Sequence, residues 1–125
     1  MRLSFALLLL IVGCTAPDAR DRAGRDLAAE LAGRTPGPPQ DCVSTTSTTN
    51  LRVVDEQTLT LERGGTIYVN TLMGSCPGLR PMDTLIVQMH GSQYCRGDRF
   101  RSRPFGGGAV PGPMCILGSF TPYRR

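Results

Sequence analysis

Two alternating runs separated by a pair of glycines constrain this chain more than any other feature. In Gln57–Glu62, Leu59 and Leu61 fall on one face and Thr58, Thr60 and Glu62 on the other; Thr66–Leu72 alternates again. A side-chain period of two marks a half-buried strand. Arg63-Gly64-Gly65 between the runs reads as a tight hairpin connection, because glycine accepts the positive φ such turns need. The second run is expected to turn Ile67 and Val69 inward and Tyr68 and Asn70 outward. Leu51-Arg52-Val53-Val54, followed by a turn at Asp55-Glu56, supplies a third strand, and the three together form an antiparallel meander.

The rest of the downstream half is β-like but more broken. Cys42–Thr49 is rich in Thr, Ser and Val, which favour extended structure. Gly74-Ser75-Cys76-Pro77-Gly78 interrupts the chain. Leu85-Ile86-Val87 reads as a central strand and His90-Gly91-Ser92 as the turn after it. Tyr94-Cys95 leads into Arg99–Arg103. Phe105–Pro113, with three consecutive glycines, reads as a mobile loop, Met114–Leu117 as a last strand and Phe120–Arg125 as a short tail.

Upstream the texture differs. Asp18 is placed to cap a helix running to about Leu31, with Ala19, Ala23, Leu27 and Leu31 as a thin apolar stripe. Gly33 is suited to stop it. Arg34–Gln40 carries three prolines within four residues, which deny a helix and favour an extended linker.

At the start, Arg2 precedes a nearly continuous apolar run of ten residues, Leu3–Val12. That is the length of a signal-peptide core, about half of what a membrane-spanning helix needs. Ile11-Val12-Gly13-Cys14 resembles the bacterial lipobox. The resemblance implies cleavage before Cys14 and lipid modification of its thiol, giving a mature chain of 125 − 13 = 112 residues. Several acyl chains, at about 0.8 kcal/mol per buried methylene, make a stable membrane tether. Thr15, being other than Asp, implies transfer to the outer membrane in a two-membrane host. The competing reading is an ordinary secretory signal cleaved near Ala16.

With Cys14 assigned to acylation, Cys42, Cys76, Cys95 and Cys115 remain. An even number in an exported chain reads as two disulfides. Three pairings are open; Cys42–Cys95 with Cys76–Cys115 is favoured, each closing a long loop worth about 3–4 kcal/mol. The spacing, without any C-x-x-C, argues against structural zinc and redox chemistry.

All fourteen basic residues are arginine, so lysine chemistry is excluded. The formal charge of +4 is mildly basic and carries no nucleic-acid signature. Arg99, Arg101 and Arg103 alternate with Phe100 and Ser102, which on a strand puts three guanidiniums on one face. Such a row suits bidentate recognition of phosphate or carboxylate; the plainer reading is an edge strand kept soluble by charge. His90 and Ser92 lie on a turn without nucleophile–base geometry, and no nucleophile elbow is present. Asp41, Asp55, Glu56, Glu62, Asp83 and Asp98 are scattered and read as solvated or Arg-paired. Arg96-Gly97-Asp98 matches the integrin-binding tripeptide by chance, and Gly106-Gly107-Gly108 lacks the continuation of a phosphate loop.

The blocks Asp41-Cys42, Ile67-Tyr68-Val69-Asn70, Ser92–Asp98 and Leu117–Tyr123 resemble a family of short exported alphaproteobacterial proteins of unknown function. That resemblance implies location and class, and no activity. The expected fold is mainly β, a small antiparallel sheet or partly open barrel of about five to six strands. It divides into a signal peptide (1–13), a lipid-anchored tether with a short helix and Pro-rich linker (14–40) and a disulfide-bonded β domain (41–125). The expected role is a non-enzymatic binding or structural one at the cell envelope, without metal or cofactor. Its partners would be the membrane, through acylated Cys14, and an envelope protein or anionic envelope component. The alternative is a periplasmic inhibitor of a cell-wall hydrolase.

Overall fold

The computed structural model describes residues 13–14, 18–45, 50–107, 110 and 112–125. The expected leader falls on residues 1–12, outside the described residues, as do 46–49 of the Thr/Ser stretch and 108–109 and 111 of the glycine-rich loop.

Among the described residues, the chain is mainly β with one helix. In order come α1 (Ala19–Leu31), β1 (Thr35–Pro36), β2 (Cys42–Ser44), β3 (Leu51–Val53), β4 (Thr58–Arg63), β5 (Thr66–Thr71), β6 (Thr84–Val87), β7 (Gln93–Cys95), β8 (Arg99–Arg103), β9 (Cys115–Ile116) and β10 (Phe120–Arg124). These ten short strands exceed the five or six expected and form three antiparallel sheets: β1-β10-β5-β4-β3, β2-β7 and β6-β8-β9. None closes into a barrel.

The meander is present with the expected boundaries. Gly64 and Gly65 both take positive φ, 58° and 78°, the requirement of a two-residue type I′ turn. That turn fixes the register, pairing Leu61 with Tyr68 and Leu59 with Asn70. Directly opposed residues of an antiparallel pair share a face, so Tyr68 and Asn70 join the leucines on the core side. The expected inward pair, Ile67 and Val69, is on the other face. Arg52, Thr60 and Ile67 of that face line a small cleft with Glu30 of the helix, and Thr60 and Ile67 are buried.

The Phe120–Arg125 tail is instead β10, inside the large sheet between β1 and β5. Its Pro122 accepts from Gly37 N at 2.7 Å. The carbonyl and the donor-less nitrogen of a strand residue point to the same side, so the missing donor faces β1 and the β5 ladder is unbroken. Residues 34–40, read as a linker, are extended but docked. Thr35 and Pro36 pair with Arg124 and Tyr123. Gln40 and Phe120 exchange backbone hydrogen bonds of 2.8 and 2.9 Å.

One core lies between the sheets. Val53, Leu59, Leu61 and Phe120 come from the large sheet, Val43 from β2, and Phe100 and Cys115 from the third sheet. The segment Leu117–Phe120 splices the sheets together. Leu117 N donates to Asp98 O and its carbonyl accepts from Gly97 N, both at 2.9 Å. Fully buried Asn70 clasps the next residue from both sides. Its Nδ2 donates to Gly118 O at 2.7 Å, and its Oδ1 accepts from Gly118 N at 2.9 Å. A Cβ on Gly118 would lie 1.8 Å from Thr71 O, so only glycine fits there.

The helix begins where the sequence places it: Asp18 Oδ1 accepts from Asp21 N at 2.9 Å. It is laid loosely on the domain, with none of its residues buried. Arg20 Nη2 donates to Gln57 Oε1 at 2.7 Å and Glu30 pairs with Arg52. Arg34, just past it, donates to Gly65 O at 2.6 Å.

Candidate functional site

The sulfurs pair Cys42 with Cys95 and Cys76 with Cys115. Their sequence separations, 53 and 39, put each at about 4 kcal/mol in the chain-entropy model. Both brace β8. Cys95 precedes the turn that starts it, and Cys115 sits opposite Phe100 in its ladder. Cys76 N also donates to Glu56 O at 2.8 Å, so this disulfide ties the third sheet to the turn between β3 and β4. Cys14 is exposed and its thiol is free.

β8 is the middle strand of its sheet, between β6 and β9; it is not the edge strand of the plainer reading. Leu85-Ile86-Val87, read as central, is the edge. Phe100 and Ser102 are buried while Arg99, Arg101 and Arg103 stand exposed on the opposite face. Among the described residues, no carboxylate lies within 4.0 Å of these three guanidiniums. Successive arginines in such a row are roughly 7 Å apart along the strand. The register sets Thr84 and Ile86 beside Arg103 and Arg101, and Ile116 beside Arg99. The residues flanking the row were not legible as site residues, because only pairing across the strands brings them there.

His90 Nδ1 lies 3.4 Å from Asp98 Oδ1, with the imidazole largely exposed and the carboxylate buried. The structure thus unites His90 with one scattered acid. The other oxygen of Asp98 accepts from Cys95 N at 2.9 Å, so the carboxylate also shapes the turn into β8. Its burial takes the Arg96-Gly97-Asp98 tripeptide out of display. Ser92 contributes its carbonyl to Thr45 N and Oγ1. Three other acids hold turns: Asp55 accepts from Gln57 N, Glu56 from Gly78 N and Asp83 from Arg80 N. Asp41 and Glu62 are exposed. Gly106 and Gly107 take positive φ in the turn after β8.

An open cleft of about 700 Å³ lies where the helix begins, lined by Ala19, Arg20, Val54, Leu79 and Pro81 among others. No local pattern points to it, since its walls come from three separate segments. Among the described residues, no group of three or more His, Cys, Asp or Glu is arranged to hold a metal ion. Among them also, no helix is long and apolar enough to cross a membrane. No known family model matches the chain, and neither a curated protein nor a solved structure matches it.

Proposed function

We propose that this chain is a lipid-anchored envelope protein with a non-enzymatic role, and that its domain binds an anionic component of the envelope through Arg99, Arg101 and Arg103. The observation that carries the reading is the row itself: three exposed arginines with no carboxylate within 4.0 Å among the described residues, on a middle strand braced by two disulfides. A guanidinium left unpaired on a rigid strand is preorganised for phosphate or carboxylate, so little ordering entropy opposes binding. The oxidised cysteines agree with an exported chain.

The anchoring half rests on Ile11-Val12-Gly13-Cys14. Acylation at Cys14 leaves four residue steps to Asp18, a reach of at most about 14 Å, before the chain is laid on the domain. On this reading the tether is far shorter than 14–40, and the domain stays close to its membrane. The test is cosedimentation of the protein, released from its membrane in detergent, with isolated envelope fragments. Wild type should bind in a salt-sensitive manner and the Arg99→Gln/Arg101→Gln/Arg103→Gln variant should not. Equal binding of the two would refute the arginine row.

A further inference from the structure

Resting on that reading of an anion-binding face, we infer that the partner is an anionic lipid surface, on which the open face of the β6-β8-β9 sheet lies flat. The face has two properties together. Its strand positions hold three arginines and no acid: Thr84 and Ile86 from β6, Arg99, Arg101 and Arg103 from β8, and Ile116 from β9. It also displays apolar side chains that a folded chain normally hides. Ile86 is 47% exposed, and continuing the β8–β9 register by one step sets Met114 on the other side of Arg101. Met82 lies two residues before Thr84 and Phe105 two residues after its partner Arg103, in the turns at that end of the β6–β8 pair. Met82 and Phe105 are 68% and 76% exposed.

An acidic protein or a glycan carboxylate would be met by the charges alone. Charges interleaved with protruding apolar side chains fit a bilayer interface, where guanidiniums meet headgroup phosphates while Ile, Met and Phe enter the acyl boundary. Met82 adds an independent sign. It is the one non-glycine residue with positive φ among the described residues, at 78°, a conformation that glycine would hold more easily. A long apolar side chain is kept there, pointing outward, where the fold would be better served without it.

The chain has no tryptophan, so Phe105→Trp installs a single reporter at the rim of the face. The full acylated protein carrying it is reconstituted into vesicles of phosphatidylcholine alone, or of phosphatidylcholine and phosphatidylglycerol in equal parts, with brominated acyl chains as quencher. Quenching is expected in the anionic vesicles, falling as salt approaches ~1 M, where the screening length is about 3 Å. Arg101→Gln and Arg103→Gln should each lower the docked-to-free ratio about fivefold. Met82→Gly should lower it while leaving the domain folded; a purely structural role for Met82 would leave quenching unchanged. The reporter does not need the anchor, because an unacylated chain is read on added vesicles in the same way. A silent reporter, together with arginine-dependent binding to peptidoglycan sacculi, would overturn bilayer docking and leave the anion-binding reading in place. Loss of both would overturn both.

Discussion

β5 and β8 carry the same period-two pattern, yet they end in opposite situations. In β5 both faces are covered: Tyr68 and Asn70 face the core and Ile67 is buried on the other side near the helix. In β8 only Phe100 and Ser102 are buried, and the alternate arginines stand in solvent. The two sheets are also held differently. The large sheet is knit by its hairpins, by the returning ends of the chain and by the Asn70–Gly118 clasp. The β6-β8-β9 sheet is shorter, and a disulfide anchors it to the loop after β5. A strand that leaves one face open gives up the burial that would have held it, and cross-links replace part of that.

The sharpest way to break this comparison is to cut the brace. Replacing Cys76 and Cys115 together with alanine should cost about 4 kcal/mol in chemical denaturation. Hydrogen exchange should rise first in β6, β8 and β9 while β4 and β5 keep their protection; uniform loosening would mean the two sheets are one cooperative unit. Gly118→Ala strikes the splice between them. With a Cβ 1.8 Å from the Thr71 carbonyl, backbone must move, at about 3 kcal/mol, read from the same denaturation curves. Met82→Gly acts in the opposite direction: relief of a left-handed side-chain conformation should raise stability by up to about 1 kcal/mol, seen as a higher melting temperature. Glu30→Ala should change least. It removes an exposed pair with Arg52, worth about 0.5 kcal/mol or less.

Much of this fold was legible. The meander, its glycine turn, the capped helix and the open arginine row all follow from local pattern and cap chemistry. What was misread came from pairing at a distance. Ile67 and Val69 looked like the inner pair by hydropathy, but a two-residue turn after Leu59 and Leu61 commits Tyr68 and Asn70 to their face. The Pro-rich 34–40 segment and the Phe120–Arg124 end looked like linker and tail, because proline weakens any local case for a strand. Only their pairing with each other and with β5 makes them one. The site followed the same rule. Arg99, Arg101 and Arg103 were visible as a row, but their neighbours Ile86 and Met114 and the Met82–Phe105 rim belong to segments joined by register alone.

The central claim is an oxidised domain anchored at Cys14, and intact mass of the membrane-extracted protein before and after reduction tests it most directly. The account predicts an acylated chain beginning at Cys14 that gains four hydrogens on reduction, two for each disulfide. A soluble, unacylated chain, or one whose mass does not change on reduction, would contradict it.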